Sequence, residues 1–323
     1  MNKLYIFLFV SILLCVQSAF GQNRPVVEPF LPEIFGQFSN VRDVAISPNR
    51  DEIHFTVQSL QGELSAIMRI NLINGKWSEP TIAGFSGKYL DLEPFYSPDG
   101  LRLYFVSNRP LDESVSTAPK DYDIWYIERK VAFDNWSLPI NLGAPVNTKG
   151  NEFYPSLTRT NTLYFTSDAP GTKGKDDIFV STFINGKYQT PKPVTDSVNT
   201  EGYEFNAFIS PDESFMVYTA YNRPGGHGSG DLCISFNKGD GFWTAPFILG
   251  TDVNSAQMDY CPYVDIHTGI LYFTSKRSGV QTPGKKPFTT QRFMEEITRY
   301  DNGMSRLYTV NIYDWIKYVV KKD

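Results

Sequence analysis

A short sequence motif built around a pair of mostly aromatic residues recurs about every 50 to 60 residues, which restricts the chain to a repeat architecture. The clearest copy is YSPDGLRLYFVS at 96–107, and aligning on its aromatic pair finds further copies along the chain. The matching pairs are His54-Phe55, Tyr104-Phe105, Tyr164-Phe165, Val217-Tyr218 and Tyr272-Phe273. This spacing predicts five repeated units.

Each unit contains four short β-type segments separated by Gly, Pro, Asn and Asp. The turn SPDG at 97–100 suits a tight hairpin between the first two segments, whereas RTN at 159–161 replaces that turn in the third unit. Four short antiparallel strands per unit match one blade of a propeller. We therefore predict an all-β fold, a five-bladed β-propeller of four-stranded antiparallel blades.

The Pro-led segment that ends most units indicates how the ring closes. One extra segment of this kind, EPFLPEIF at 28–35, precedes the first complete unit, while the last unit has none after its third strand at 307–312. We predict that residues 29–34 form the outer strand of the last blade. The propeller is then closed by an N-terminal strand.

These repeats resemble the WD-like repeats with a Pro-Asp signature of the TolB-like periplasmic propellers. The resemblance covers about residues 28–312, and its matching positions are Ser97–Gly100, Tyr104-Phe105, Ser107 with Arg109, and Asp123–Trp125. It implies a propeller that docks partner proteins in the cell envelope, although a fold does not determine a function. TolB-like proteins also have an α/β domain before the propeller. We expect no room for that domain here, so the same partner does not follow.

The amino terminus has the pattern of a secretory signal peptide. Lys3 and an apolar run precede the small-residue site Ala19-Phe20-Gly21, which predicts cleavage before Gln22. No later segment is long and apolar enough to cross a bilayer, so we predict a periplasmic or secreted protein with no transmembrane segment. A lipid anchor at Cys15 is the less favoured alternative, because Leu14 is a poor residue before a lipidated cysteine.

The domain organisation follows from these assignments. Residues 1–21 are the expected signal peptide, and residues 22–323 form a single propeller domain with an insertion at 276–305. Apolar residues at helical spacing in 288–300, with Thr289 or Thr290 as a cap, predict a short helix in that insertion. We expect the helix to lie over one face of the propeller.

Composition narrows the possible partners and cofactors. A formal net charge of −5 disfavours nucleic acid. We expect Cys233 and Cys261 to be buried thiols, since their strand positions in adjacent blades should not bring them together as a disulfide. His54, His227 and His267 lie in three different units without ligand spacing, so we predict no metal site and no cofactor.

A repeated acid is the best candidate for a binding site. It lies at the start of the innermost strand in four units, at Asp91, Glu152, Glu204 and Asp259, and the first unit has Val41 in its place. In a propeller this position surrounds one mouth of the central channel. A ligand-binding ring of carboxylates there is the site candidate; the favoured alternative is structural, that each acid accepts backbone N–H bonds from its own loop or pairs with a neighbouring blade.

A second repeated pattern combines an arginine after the second strand with an aspartate at the start of the third. The pairs are Arg109 with Asp123 and Arg223 with Asp231. Because partly buried charges need partners, we predict that these pairs tie the second and third strands together.

The sequence contains no nucleophile elbow, phosphate loop or paired metal-ligand histidines. We therefore predict an exported, TolB-like interaction platform for an envelope protein or a glycan, and we assign no catalytic residue. The alternative is a carbohydrate-active enzyme, a glycoside hydrolase or lyase, that uses carboxylates at the channel mouth. The sequence leaves the ligand, the binding face and the oligomeric state open.

Overall fold

The computed structural model describes residues 25–132 and 134–313, and its fold is almost entirely β. Five small antiparallel sheets are arranged around one axis, so the predicted five-bladed β-propeller is confirmed. Within the described part of the chain, neither helix is long and apolar enough to cross a membrane.

The strands are numbered from the amino terminus. The chain begins with β1 (Glu28–Pro29) and the short helix α1 (Pro32–Phe35). Blade 1 contains β2 (Val41–Ile46), β3 (Glu52–Gln58), β4 (Ser65–Ile73) and β6 (Thr81–Ile82), and β4 also pairs with β5 (Lys76–Trp77). Blade 2 contains β7 (Asp91–Tyr96), β8 (Arg102–Ser107), β9 (Asp123–Glu128) and β10 (Ile140–Asn141).

Blade 3 contains β11 (Glu152–Leu157), β12 (Leu163–Ser167), β13 (Asp177–Ser181) and β16 (Lys192–Pro193), beside a small hairpin of β14 (Phe183–Ile184) and β15 (Lys187–Tyr188). Blade 4 contains β17 (Tyr203–Ile209), β18 (Phe215–Tyr221), β19 (Gly230–Gly239) and β21 (Phe247–Ile248), and β19 also pairs with β20 (Phe242–Trp243). Blade 5 contains β22 (Asp259–Asp265), β23 (Ile270–Ser275), β24 (Arg306–Asn311) and β1.

The ring is closed by its amino-terminal strand, as predicted. Pro29 of β1 lies opposite Tyr308 of β24, in the outer position of blade 5. The predicted strand at 29–34 is wrong in its second half, because Pro32–Phe35 forms the helical turn α1 instead. A proline at the first position of a helix favours this turn, which buries Phe35 completely.

The aromatic pairs that reveal the repeat also build the core. Their side chains lie in the second strand of each blade, where neighbouring blades pack face to face. The largest fully buried side chains include Phe55, Tyr104, Phe105, Phe165, Tyr218 and Phe273. Each such ring contributes roughly 1.5–3 kcal/mol through burial, which explains why the pair persists while other positions vary.

The propeller has two faces, named here by the direction of the innermost strands. The upper face is the end at which β2, β7, β11, β17 and β22 begin, and the lower face is the end at which they finish. The insertion leaves β23 and returns to β24 at the upper face, where the Lys276 N–H donates to the Met258 carbonyl oxygen (2.8 Å) and the Val41 N–H to that of Ser305 (3.1 Å).

The predicted helix in the insertion is present as α2 (Thr290–Thr298). Its cap is Thr289, whose side chain accepts a hydrogen bond from the Arg292 N–H (3.2 Å). The helix buries Glu296, which is 3% exposed, and leaves Phe293 and Ile297 53% and 46% exposed. The one side chain that the helix buries is thus an acid, while its apolar side chains are exposed like its other charged ones, Arg292 and Glu295.

Candidate functional site: a polar cluster on the propeller axis

The four predicted acids do not contact one another as a ring. Each carboxylate is buried at the start of its own innermost strand and is bonded within its own blade. Asp91 accepts from the Arg109 guanidinium (2.6 Å), and Asp259 accepts from that of Arg277 (3.1 Å). Glu204 is 3.5 Å from its own arginine, Arg223, in blade 4. Their role in ligand binding stays a prediction.

Glu152 differs from the other three acids, because no cation pairs with it among the described residues. Its carboxylate accepts from the backbone N–H (3.1 Å) and the hydroxyl (2.7 Å) of Thr148. Ala169 occupies the position that holds Arg109 in blade 2 and Arg277 in blade 5, and blade 4 has Arg223 one residue further along. Burial raises the pKa of Glu152 to about 7, and the two bonds from Thr148 oppose that rise.

The predicted ties Arg109–Asp123 and Arg223–Asp231 are wrong. Each arginine turns to the acid of the first strand instead, because its loop folds back over the upper end of its own blade. In blades 2 and 5 the guanidinium also stacks on the aromatic side chains there. Asp231 accepts from the backbone N–H of His227 (3.0 Å) and so shapes its loop.

The side chains that do meet lie two positions after the repeated acid. In every innermost strand this residue is part of a β-bulge and has a φ angle between 51° and 57°. A bulge re-aims one side chain relative to the regular alternation of a strand. The five bulge residues, one from each blade, are Asp43, Glu93, Tyr154, Asn206 and Cys261.

Arg42 connects three blades at the centre of this axial cluster. Its guanidinium donates to Asp43 (2.9 Å) and to Glu93 (2.6 Å), and it lies 3.2 Å from the Cys261 sulfur. The same group lies over the Tyr260 ring, 5.3 Å from the ring centre. A single cation therefore bridges blades 1, 2 and 5.

Glu93 extends the cluster to the remaining two blades. It accepts from the Tyr154 backbone N–H (2.7 Å) and from the Asn206 side-chain amide (3.2 Å). The Cys261 thiol donates to the side-chain oxygen (Oδ1) of Asn206 (3.4 Å), which links blade 5 to blade 4. Because contacts run between blades that are not neighbours, these side chains must lie on the axis.

Burial governs the protonation of the axial cluster. Desolvation raises the pKa of Glu93 to about 7, whereas Arg42 and the N–H donors oppose the rise. Desolvation also raises the pKa of the Cys261 thiol well above its usual range, so the thiol keeps the proton that it donates to Asn206.

Asp43, Glu93 and Cys261 offer three donor atoms within 4.8 Å of one another, the spacing of a metal site. The Arg42 guanidinium contacts all three and already supplies the positive charge between them. The donors also combine hard carboxylate oxygens with a soft, protonated sulfur. This arrangement fits an internal arginine better than a metal ion.

Above the axial cluster the upper face carries partly exposed apolar side chains. We call them the aromatic mouth, defined as Tyr122, Phe153, Tyr203, Phe205 and Met258. Phe153, Phe205 and Met258 pack against the axial residues, and the Tyr122 and Phe153 rings lie 5.2 Å apart. The mouth is therefore apolar on the side of blades 3 to 5, with Arg42 at its base.

Sequence reasoning missed the axial cluster, although a signal was present. The position two residues after the repeated acid holds a different residue in every unit, whereas the acid itself recurs in four of the five. Repetition preserves what every blade needs. The five bulge residues differ because their side chains meet at one centre on the axis, where each has a different partner.

The predicted state of the two cysteines is confirmed. Cys233 and Cys261 are both buried free thiols.

Comparisons with known proteins support the fold and leave the activity open. No protein-family model matches this sequence, and no curated protein matches it. Among solved structures, TolB from Acinetobacter baumannii is 16% identical with a TM-score of 0.48, over 84% of this chain and 54% of that chain. This chain thus spans about half the length of that TolB.

Two further solved structures are hydrolases. A GH62 hydrolase in complex with xylotriose is 12% identical with a TM-score of 0.50, over 88% of this chain and 94% of that chain. A glycoside hydrolase is 11% identical with a TM-score of 0.49, over 73% of this chain and 82% of that chain. The propeller fold implied by the sequence resemblance is present, and membership of the TolB-like repeat family stays a prediction.

Proposed function

We propose that this protein is an exported interaction platform that binds a protein partner at its upper face. The observation that carries the proposal is the aromatic mouth, a group of apolar side chains left partly exposed above a filled axis. Export is part of the proposal and rests on the signal-peptide pattern at 1–21, which lies outside the described residues.

The filled axis favours binding over catalysis. The five bulge residues are at most 7% exposed, and the charged ones are bonded to Arg42 or to one another. A substrate would have to displace these bonds before it reached a carboxylate. The surface that a ligand can contact without such rearrangement is the mouth above them.

The composition of the upper face favours a protein over other ligands. Aromatic residues, Met and Arg are enriched at the centres of protein interfaces, and these types make up the mouth and its base. The insertion that leaves the blade at the upper face adds exposed apolar side chains on α2, at Phe293, Met294 and Ile297. Exposed apolar surface is typical of protein–protein contacts.

A pull-down from cell-envelope extract with residues 22–323 tests the proposal. The mouth variant Phe153→Ala/Phe205→Ala is compared with the control Phe242→Ala/Phe247→Ala, whose side chains are 64% and 49% exposed on blade 4, away from the mouth. We expect wild type and control to retain a partner that the mouth variant binds at least about tenfold more weakly, as for interface hot spots. Equal retention by all three proteins would contradict the proposal.

A glycan array run beside the pull-down separates the two ligand classes. Binding to glycans that is lost only in the mouth variant would make the ligand a glycan while keeping the upper face as the site.

The ring of Asp91, Glu152, Glu204 and Asp259 remains part of the proposal as a secondary contact. Glu152 supports it best, because it has no cation partner in its blade. The double variant Glu152→Gln/Glu204→Gln tests the ring. Unchanged ligand affinity in a stably folded double variant would reject it.

A carbohydrate-active enzyme is the second candidate, favoured by Asp43 and Glu93. Arg42 pairs with both carboxylates, and burial raises the pKa of Glu93 to about 7, so Glu93 can hold or release a proton near neutral pH. Carboxyl pairs of this kind serve as acid and base in glycoside cleavage. Reducing-end release from a polysaccharide panel, lost in Glu93→Gln, would place this candidate first.

A further inference from the structure

The lower face carries a concave site, at the opposite end of the axis from the mouth. It is a cavity of about 160 Å³ lined by the ends of all five innermost strands and the turns that follow them. Its floor is formed by Phe95, Phe208 and Tyr263, whose ring centres lie 5.6 to 6.5 Å apart. These rings fill the axis, so the cavity is a blind pocket.

Five equivalent turn positions contribute to the wall of this lower pocket. Four of them are apolar and one is charged; in chain order they are Pro48, Pro98, Arg159, Pro211 and Ile266. The arginine belongs to the RTN turn at 159–161 in the third unit. The units on either side have a Ser-Pro turn at the same place. Where four units keep an apolar residue, the third places a guanidinium beside the pocket.

Arg159 has no acidic partner among the described residues, and its side chain is exposed. Its backbone N–H donates to the Pro211 carbonyl oxygen (2.7 Å), which fixes the turn in place. The other arginine at the pocket, Arg50, is paired with Asp265 (3.0 Å). The two charges of that pair offset each other, so the pocket keeps one unused positive charge.

The chemistry of the pocket defines its ligand. A guanidinium binds a planar carboxylate through two parallel hydrogen bonds. The aromatic floor and proline walls require an apolar body on the same ligand. A cavity of about 150 Å³ accommodates a single benzene-sized molecule, which is close to the volume observed here. One arginine suits a monoanionic carboxylate better than a doubly charged phosphate.

We propose that the lower pocket binds a small carboxylic acid with a ring-sized apolar body, and that Arg159 binds its carboxylate. This site is independent of the proposed function, because it lies on the opposite face and shares no residue with the mouth. The mouth variant should therefore bind such an acid as wild type does.

Ligand-observed NMR on residues 22–323, with phenylacetate and benzoate as probes, tests the proposal. We expect saturable binding to wild type and at least about tenfold weaker binding to Arg159→Gln, since the variant loses the charge-assisted hydrogen bonds to the carboxylate. Arg159→Lys should retain part of the affinity. Lys187→Gln is the matched control, because it removes one exposed positive charge from the same blade away from the pocket.

Benzyl alcohol, which has the ring without the carboxylate, separates apolar binding from carboxylate recognition. We expect it to bind more weakly than phenylacetate and to be insensitive to Arg159→Gln. No saturable binding of either acid to wild type, equal binding to Arg159→Gln, or equal binding of the alcohol would each overturn the proposal.

Discussion

At the scale of the residue, Arg42 is the side chain that joins three blades on the axis. One guanidinium satisfies two buried carboxylates from different blades and contacts a thiol from a third. Removing one partner of a buried ion pair destabilises the folded state by more than the pair itself contributes, because the remaining charge stays buried without a partner.

We expect Arg42→Met to lower the free energy of unfolding by about 3–5 kcal/mol. Urea denaturation of residues 22–323 measures it. The double variant Arg42→Met/Glu93→Gln should recover part of the loss, since one of the two orphaned acids is then neutral. A loss below about 1 kcal/mol in the single variant would show that the cluster does not depend on this cation.

His54 gives the protein a specific response to acid. It is buried and bonded to the Tyr96 hydroxyl (3.0 Å), and desolvation, followed by the nearby charges of Arg69 and Arg129, lowers the pKa of His54 to about 3. Between pH 6.5 and 3 the unfolded chain therefore binds a proton that the folded chain does not. The contribution of His54 to stability is present above pH 6.5 and is lost as the pH falls.

Comparing wild type with His54→Gln at pH 7 and pH 4.5 isolates this effect, because Glu93 and Glu152, whose raised pKa values act in the opposite direction, are present in both proteins. Each pH unit in this window should cost wild type up to about 1.4 kcal/mol more than the variant. Identical pH dependence of the two unfolding free energies would contradict the assignment.

At the scale of the element, the acid at the start of each innermost strand anchors the upper end of its blade. Asp91 and Glu152 occupy equivalent positions, yet only Asp91 bonds to a buried arginine, Arg109. Asp91→Asn should therefore lower the unfolding free energy by about 3 kcal/mol, and Glu152→Gln by less than about 1 kcal/mol at pH 8. Thermal and urea melts of the two variants check this difference. Equal losses would mean that the arginine tie is not what stabilises the blade.

Strand β1 closes the ring through a register that can be tested covalently. Glu28 lies directly opposite Thr309 of β24. Directly opposed residues in antiparallel strands lie about 4.5–5.5 Å apart, within the range that a disulfide spans. Glu28→Cys/Thr309→Cys should therefore crosslink under oxidising conditions and raise the melting temperature. Mass spectrometry of the oxidised protein detects the bond; failure to form it would contradict the closure.

The strands and helix α2 show which features of the fold could be predicted from the sequence and which could not. Both members of the repeated pair are buried in blades 1 to 4, and in blade 5 Phe273 is buried and Tyr272 partly so, so the pattern that marks the repeat also builds the core. The bulge that turns Glu93 to the axis breaks the strand alternation on which such reasoning depends. Helix α2 was predicted, but its orientation was not, because the ion pairs of Glu296 with Arg292 and Arg299 depend on the folded insertion.

At the scale of the whole molecule, the two faces of the propeller offer different chemistry. The upper face carries the aromatic mouth, and the insertion that contains α2 leaves and rejoins blade 5 there, whereas the lower face has a small pocket with one unpaired arginine. Between them the axis is filled by bonded polar side chains and then by aromatic rings. Ligands at the two ends should therefore bind independently.

Removing the insertion tests whether the two faces bind their ligands independently. Replacing residues 279–299 by a short Gly-Ser linker should leave the propeller folded, since this keeps Tyr300, whose hydroxyl donates to the carbonyl oxygens of Phe30 and Leu307 and whose ring packs against the core. Partner binding at the upper face should weaken, while phenylacetate binding at the lower face should not change. Circular dichroism and the two binding assays report these outcomes, and global unfolding would show instead that the insertion belongs to the core.

Hydrogen–deuterium exchange of residues 22–323, free and bound to the partner captured from envelope extract, is the most direct test of the upper face as the binding surface. The predicted result is slower exchange around Tyr122, Phe153 and Phe205, with no change in the lower-face turns at 97–100 and 210–213. Protection confined to the lower face, or no protection at the mouth on saturation with partner, would contradict the account.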